Sequence, residues 1–134
     1  MTRFLLDTTV LIDHLRGDDY VAASLLSLLQ RGHALCISCV NVAEIEQGIR
    51  SKERRTARAL LDRLEFLPTT KEAAQRAGKY QADWTRRGRT VHMADALVAG
   101  TASAHGAVLV TDNVADFPMR DIRVVRTAGL KKFE

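Results

Sequence analysis

The chain has 134 residues, of which 46% are hydrophobic and 27% are charged, and its formal net charge is +4. This length and composition predict one domain, residues 1–134, that folds without disulfides or a structural metal. No apolar run approaches the roughly 20 residues of a membrane span, and the run before Asp7 is too short for a signal peptide. We therefore expect a cytoplasmic protein with no membrane partner.

Short apolar runs alternate with amphipathic segments along the whole sequence. This alternation predicts an α/β fold, with helices packed on a largely parallel sheet. In chain order, the hydrophobic pattern predicts a strand at 4–7, helices at 9–15 and 21–30, a strand at 35–38, a helix at 41–50 capped by Asn41, a helix at 52–64, a strand at 65–67, a helix at 70–87 capped by Thr70, a helix at 92–104, and strands at 108–111 and 122–125.

Acidic residues follow two of the predicted strands directly. Asp7 ends the first strand, and Asp112, Asn113 and Asp116 follow the strand at 108–111. Ligands of open parallel sheets bind beyond the carboxyl ends of the strands, so this placement favours a functional site. The alternative role for Asp7 is that of a helix N-cap. Both roles can be filled if Thr9 caps the helix while Asp7 faces a metal.

Two further acids lie on predicted helices. Asp95 lies in the first turn of a helix that is apolar nearly all round, where the helix dipole stabilises an anion by about 0.3–1 kcal/mol. That stabilisation accounts for a structural aspartate, and it would also hold an ionised metal ligand. Glu44 lies on the helix after the second strand, and an ordinary exposed glutamate is the alternative there.

A shared cation would explain why Asp7, Glu44, Asp95 and Asp116 all occur in apolar segments. Two carboxylates 4 Å apart repel by about 4 kcal/mol at an effective dielectric of about 20, so a cluster of them needs a neutralising ion. Ligands that are all oxygen favour Mg²⁺, with Mn²⁺ as a substitute, over zinc. Such a centre predicts metal-assisted hydrolysis of a phosphodiester bond.

The basic residues are clustered, as expected of a protein that binds a polyanion. A solvated basic surface without a function is the alternative. The clusters are Arg50, Lys52, Arg54, Arg55 and Arg58, then Arg86, Arg87 and Arg89, and finally Lys131 and Lys132.

Cys36 and Cys39 form a C-x-x-C motif on a predicted strand and its exit. A redox motif of this kind opens a helix after a strand, and a zinc site would need two more soft ligands, of which only His33 is near. We therefore expect two reduced, buried thiols.

Four segments are informative when they are taken together in chain order: LLDTTVLI at 5–12, AEI at 43–45 with Gly48, DALVA at 95–99 and LVTDNVADF at 109–117. Together they resemble PIN-domain nucleases, and within them the VapC-type toxins of bacterial toxin–antitoxin pairs. The resemblance implies a three-layer α/β/α fold with a mostly parallel five-stranded sheet. It also implies a Mg²⁺- or Mn²⁺-dependent endoribonuclease that cleaves tRNA or rRNA, a cognate VapB-type antitoxin and a homodimer.

The resemblance also implies roles for individual residues. Asp7, Glu44 and Asp95 match the first three acids of the family site, and we expect Asp7 and Asp95 to hold the metal. Thr9 and Thr111 would support these acids by hydrogen bonds.

The fourth acid is where this sequence departs from the family. Two residues after Thr111, where an acid is frequent, the chain has the neutral Asn113. We expect Asp116 to take that role, with Asp112 as the alternative, and Asn113 to ligate or orient a water.

Three other functions are compatible with the sequence. A PIN nuclease could process RNA without an antitoxin, and a non-catalytic PIN module could bind RNA or protein. The basic balance alone would also suit a nucleic-acid-binding domain without metal, although acids at strand ends repel phosphates.

Overall fold

One parallel sheet lies at the centre of the molecule. The structure, a computed structural model, describes residues 1–133, and its five strands are all parallel. The predicted α/β fold with a five-stranded sheet is therefore confirmed. The strands are β1 (Arg3–Leu6), β2 (Ala34–Ser38), β3 (Glu65–Leu67), β4 (Val108–Val110) and β5 (Val124–Val125), and their order in the sheet is β3-β2-β1-β4-β5.

Helices cover both faces of this sheet, which gives the three layers that we expected. Within residues 1–133, none of them is long and apolar enough to cross a membrane. The helices are α1 (Thr8–Leu15), α2 (Asp19–Gln30), α3 (Cys39–Gly48), α4 (Arg54–Arg63), α5 (Lys71–Arg86) and α6 (Met93–His105), and 3₁₀ segments lie at Ser51–Glu53, Val114–Asp116 and Thr127–Phe133.

The side chains of β1 alternate between two hydrophobic cores. Phe4 and Leu6 pack with residues of α1, α2 and α4, whereas Leu5 packs with residues of α5 and α6. All three side chains are fully buried. Burial on both faces is typical of parallel strands in α/β proteins, and it explains the uninterrupted apolar run at this point of the sequence. Asp7, which directly follows β1, is therefore attached to a strand that is buried on both faces.

The order of the strands reverses at β1. The chain adds β2 and β3 on one side of β1, and later adds β4 and β5 on its other side. Leu5 lies beside Leu109 and Leu6 lies beside Val110, so the chain leaves both strands at the same edge of the sheet. This edge is the topological switch point, where open α/β sheets bind their ligands.

Two helices are capped by residues other than those predicted. α1 begins at Thr8 and is capped by Asp7, so Thr9 is not the cap. α3 is capped by Ser38, and the predicted cap, Asn41, lies inside its first turn. The reason is a capping box, in which the side chains of Ser38 and Asn41 each accept a hydrogen bond from the backbone amide of the other.

The two cysteines lie in different surroundings. Both are free, but Cys36 is buried in β2 whereas Cys39 is exposed at the start of α3. The expectation of two buried thiols is therefore wrong for Cys39, because the strand ends at Ser38 and the chain reaches the surface there. Burial, together with the neighbouring charge of Glu65, raises the pKa of Cys36 to about 12, so this thiol stays protonated.

Helices α5 and α6 pack closely at Gly100. A Cβ atom at this position would press against the carbonyl oxygen of Ala73 and would lie 3.0 Å from the amide nitrogen of Ala77. α5 is capped as predicted, by the Thr70 hydroxyl, which accepts a hydrogen bond from the Ala73 amide at 3.1 Å. The close contact at Gly100 fixes the direction of α6, and the first turn of α6 carries Asp95.

The 3₁₀ segment Thr127–Phe133 has no counterpart among the predicted elements. Leu130 is fully buried, and the Phe133 ring lies edge-on to Phe4 with 4.9 Å between the ring centroids. Short 3₁₀ segments lack the apolar repeat that marks an α-helix, so the hydrophobic pattern did not predict this one. The segment closes the first core against α2.

Candidate active site

Asp7 is held firmly at the carboxyl end of β1. Its Oδ1 atom accepts a hydrogen bond from the Thr8 amide at 2.9 Å, and its Oδ2 atom accepts one from the Thr111 hydroxyl at 2.8 Å. Only 8% of the residue is exposed. Burial raises the pKa of Asp7, the two hydrogen bonds oppose the rise, and the charges of Glu44 and Asp116 add to it.

The Thr111 hydroxyl connects Asp7 to the loop after β4. Its Oγ1 atom accepts a hydrogen bond from the Asn113 amide at 3.0 Å and donates its own hydrogen to Asp7. The residue is fully buried. Thr111 therefore holds Asp7 by a hydrogen bond, while Asn113 contributes through its backbone and is itself exposed.

Glu44 is oriented by Thr8 and not by Thr9. The Thr8 hydroxyl donates to Glu44 Oε1 at 2.6 Å and accepts a hydrogen bond from Asn41 Nδ2 at 3.1 Å. The Asn41 amide is itself held by Ser38, whose hydroxyl donates to Asn41 Oδ1 at 2.6 Å. Thr9 is exposed, and its side chain makes no hydrogen bond in the described part of the chain. The supporting role that we expected for Thr9 therefore belongs to its neighbour.

Asp95 lies in the electric field of the other three acids. It is the third residue of α6, and its pKa is raised to about 6. Burial is the largest cause, followed by the charges of Asp116, Asp7 and Glu44, whereas His92 lowers the pKa. The fold thus gathers acids from four separate segments at one edge of the sheet.

The residues after β4 divide between two tasks. Asp116 ends the 3₁₀ segment that follows β4 and lies exposed, near enough to raise the pKa of both Asp7 and Asp95. Asp112 accepts hydrogen bonds from the Thr127 amide at 3.0 Å and from its hydroxyl at 2.9 Å. Asp112 therefore fastens the C-terminal segment, and Asp116 is the residue that joins the acidic cluster.

The donor set fits a hydrated Mg²⁺ or Mn²⁺ ion. All four side chains offer carboxylate oxygens, and their mutual repulsion would be relieved by a divalent cation. Within residues 1–133, no three acidic, histidine or cysteine side chains are arranged to hold a metal by themselves. Mg²⁺ commonly binds through one or two carboxylates and keeps several waters, so it does not require three protein ligands.

Sequence reasoning missed the residues that orient Glu44. A serine followed three residues later by a polar side chain is the pattern of a capping box, and Ser38 and Asn41 have this spacing. That signal could have placed the start of α3 correctly. It could not have shown that Asn41 also reaches Thr8, which lies 33 positions away.

A parallel α/β sheet with a cluster of carboxylates at its switch point defines the class of this protein, an α/β fold whose ligand site lies beyond the carboxyl ends of its strands. The sequence model of the PIN-domain family matches residues 4–118. The chain therefore belongs to this family, among the VapC proteins. The resemblance noted in the sequence is thereby confirmed.

Relatives of known sequence and structure agree with this placement. Ribonuclease VapC10 of Mycobacterium tuberculosis (strain ATCC 25618 / H37Rv) is 38% identical over 115 residues, which cover 86% of each chain. The tRNA(fMet)-specific endonuclease VapC of Shigella flexneri is 30% identical over 87% of this chain and 91% of its own length. A DNA-bound VapBC structure from Salmonella typhimurium superposes with a TM-score of 0.83 at 26% identity, covering 95% of this chain and 99% of that one.

Proposed function

We propose that this protein is the toxin of a VapBC-type toxin–antitoxin pair, and that it is a metal-dependent endoribonuclease. The observation that carries the proposal is the convergence of Asp7, Glu44, Asp95 and Asp116, with Asp95 in the field of the other three. The 38% identity to a protein named as a ribonuclease supports RNA as the substrate. The reaction would arrest translation and growth by hydrolysing phosphodiester bonds in RNA, with tRNA and rRNA as the expected substrates.

Each side chain has a task that its surroundings permit. When bound, Mg²⁺ or Mn²⁺ would polarise the phosphate and lower the pKa of a water. Asp7 and Asp95 would hold the ion, because Asp7 is fixed on both oxygens and α6 directs Asp95 to the same edge. Glu44 Oε1 is occupied by Thr8, which leaves Oε2 to orient the attacking water and accept its proton. Asp116 completes the site through waters.

The test of the reaction is RNA cleavage by protein purified free of antitoxin. Structured RNA is incubated with Mg²⁺, with Mn²⁺ or with EDTA, using the parent, Asp95→Asn and the control Asp62→Asn. Asp62 is exposed on α4, so the control removes one carboxylate away from the site. We expect cleavage only with metal, and a loss of about 10²-fold or more in Asp95→Asn. Equal rates in Asp95→Asn and the parent would refute the proposal.

Metal binding is tested separately by thermal unfolding. A ligand that binds the native state raises the melting temperature, so millimolar Mg²⁺ or Mn²⁺ should stabilise the parent and the control. Asp95→Asn should lose most of this stabilisation. Absence of any stabilisation in the parent would favour the alternative of a non-catalytic PIN module.

The surface offers a groove that suits a protein partner. Between α2 and α4 an apolar groove of about 240 Å³ is lined mainly by leucines, and Leu26 and Leu29 remain 54% and 51% exposed. An amphipathic segment of an antitoxin would bury such side chains. The Salmonella typhimurium relative is named as a VapBC complex, which supports an antitoxin as the occupant.

The antitoxin proposal predicts a growth phenotype. Expression of this chain should arrest growth, and co-expression of a small antitoxin gene encoded beside it should relieve the arrest. Leu29→Asp should weaken that relief, whereas Ala23→Asp adds the same charge to α2 outside the groove and should not. Arrest that no neighbouring gene relieves would favour the alternative of an RNA-processing PIN nuclease.

We further propose that the protein forms a homodimer. It would act in the cytoplasm, where it meets both RNA and antitoxin. Sedimentation equilibrium of the antitoxin-free protein tests the dimer, and a mass of one chain at micromolar concentration would contradict it.

A further inference from the structure

A polar groove, distinct from the apolar groove between α2 and α4, lies outside the acidic site. It runs between α5 and the residues after the 3₁₀ segment Val114–Asp116, and its volume is about 270 Å³. Basic and aromatic side chains dominate its lining, which includes Arg76, Lys79, Tyr80, Trp84, Arg87 and Arg120. None of the roles assigned so far uses this groove.

Some of the charges in this groove are neutralised within the protein. Lys79 pairs with Asp83 at 2.9 Å, and Arg76 pairs with Glu72 at 2.7 Å. The Tyr80 hydroxyl donates to Asp121 at 2.8 Å, so that carboxylate also has a partner.

Two guanidinium groups in the groove are not neutralised. Within residues 1–133, neither Arg87 nor Arg120 forms an ion pair or a side-chain hydrogen bond. The lining keeps an excess of positive charge, since four basic side chains face two carboxylates. An anion that enters the groove would therefore find two unpaired cations.

The groove also contains the only tryptophan of the chain. The guanidinium carbon of Arg87 lies 4.9 Å from the centroid of the Trp84 ring, and that of Arg89 lies 5.9 Å away. Cations beside an aromatic ring are what proteins use to bind single-stranded nucleic acid, because phosphates meet the charges while bases stack. An acidic peptide would use the charges but would have less need of the ring.

The loop after β4 links the groove to the acidic site along the chain. The Arg89 side chain donates to the carbonyl oxygen of Ala115, the residue before Asp116. Arg120 follows Asp116 by four positions, which an extended chain spans in at most about 14 Å. An RNA strand with one phosphate at the acids could therefore place a nearby nucleotide in the groove.

We propose that this groove binds the single-stranded RNA segment next to the phosphodiester bond that lies at the acidic site. The inference rests on the proposed ribonuclease function for its substrate. Phosphates of the flanking segment pair with Arg87 and Arg120, and a base stacks at Trp84. The groove thus selects RNA that is unpaired beside the cleavage site.

Trp84 supplies a direct readout, because no other tryptophan contributes to the emission. A uridine 12-mer is titrated in EDTA into the parent, the double variant Arg87→Gln/Arg120→Gln and the matched control Arg31→Gln/Lys71→Gln. Both control side chains are exposed, lie outside the groove and the basic clusters, and form no ion pair in the described residues. We expect the RNA to quench Trp84 emission in the parent and the control.

The double variant should bind the 12-mer about 10-fold more weakly at low salt. Each phosphate contact contributes about 0.7 to the slope of log K against log salt, so the slope should fall by about 1.4. Circular dichroism checks that all variants are folded.

Equal affinity of the double variant and the control, or binding that leaves Trp84 emission unchanged, would overturn the inference. So would a change in sedimenting mass of the double variant, because the groove would then be a contact between two copies of the chain. Cleavage assays separate the two proposals: a parent that cleaves no RNA contradicts the ribonuclease function, whereas the 12-mer titration tests the groove without cleavage.

Discussion

Two threonine hydroxyls orient the acids in the same way. The hydroxyl of Thr8 accepts from Asn41 and must donate to Glu44, and the hydroxyl of Thr111 accepts from an amide and must donate to Asp7. A hydroxyl has one hydrogen to give, so an incoming donor fixes where that hydrogen points. The carboxylates are thus positioned before any ligand arrives.

Thr111→Val should destabilise the protein. Valine has nearly the same shape, but it leaves Asp7 Oδ2 without a donor and the Asn113 amide without an acceptor. We expect a loss of about 1–3 kcal/mol in the free energy of unfolding, measured by urea denaturation in EDTA. Thr90→Val is the control, since Thr90 is exposed and its hydroxyl has no partner in residues 1–133. Equal losses in the two variants would contradict this assignment.

Asp95 should make stability depend on pH in a metal-free buffer. Its folded pKa of about 6 lies above the ordinary value of 3.8, so the native state binds more protons between these values. Stability contributed by this group is therefore present below pH about 4 and is lost as pH rises towards about 6. Asp95→Asn lacks this loss, and its melting temperature should exceed that of the parent by a few degrees at pH 7.5 but not at pH 4.

The control for this pH dependence is again Asp62→Asn, which should follow the parent at every pH. Added Mg²⁺ should reduce the difference between the parent and Asp95→Asn at pH 7.5, because the cation relieves the repulsion among the acids. A difference in melting temperature that is the same at pH 4 and pH 7.5 would show that the burial and charge repulsion that raise the pKa of Asp95 are not its cause.

At the scale of single residues, the sequence pointed to the acids, but it did not show that Thr8 orients Glu44. Asp7 and Asp95 stand out because a carboxylate is unusual among apolar neighbours. Thr8 and Thr9 are adjacent and chemically identical, and only the phase of α1 decides which of them faces Glu44. That phase depends on Asp7 being the cap, which is a property of the folded chain.

At the scale of the elements, the contact between α5 and α6 controls where Asp95 lies. α6 approaches α5 so closely at Gly100 that a single added methyl group would meet the α5 backbone. A backbone carbonyl cannot turn aside as a flexible side chain can. The absence of a side chain at this position is therefore a requirement of the packing.

Gly100→Ala should be destabilising although alanine favours helices. The new methyl group would force α6 away from α5, at a cost of about 1–3 kcal/mol in the free energy of unfolding. Gly78→Ala is the matched control, because Gly78 lies in α5 with nothing within 4 Å of the added carbon. Its helix propensity should stabilise the protein by about 0.5–1 kcal/mol. Equal changes of either sign in both variants, measured by chemical denaturation, would contradict the packing account.

Elements with a strong apolar repeat were predictable, and those without one were not. α5 lies within one residue of its predicted bounds at both ends, because its apolar stripe and the Thr70 cap mark it clearly. β5 is only Val124–Val125, two residues shorter than predicted, since pairing with β4 and not hydrophobicity sets its length. The 3₁₀ segment Thr127–Phe133 is stabilised by tertiary contacts that the local sequence does not reveal.

At the scale of the whole molecule, both hydrophobic cores share one strand. Phe4 and Leu6 belong to the first core and Leu5 belongs to the second, so neither core can lose β1 and remain intact. We therefore propose that residues 1–134 unfold as one domain. Thermal unfolding should give one cooperative transition, with the same midpoint by far-ultraviolet circular dichroism and by Trp84 fluorescence. Two separated midpoints would contradict a single domain.

The pairing of β1 with β4 also has a consequence for synthesis of the chain on the ribosome. Asp7 and the Thr111 hydroxyl that holds it are 104 positions apart, so their contact must wait until most of the chain has been translated. At about 5–20 residues per second, this delay lasts roughly 5–20 s. A nascent or truncated chain without β4 carries Asp7, Glu44 and Asp95 but lacks both Thr111 and Asp116. Asp7 therefore gains its Thr111 donor, and Asp116 joins the other acids, only in a nearly finished protein.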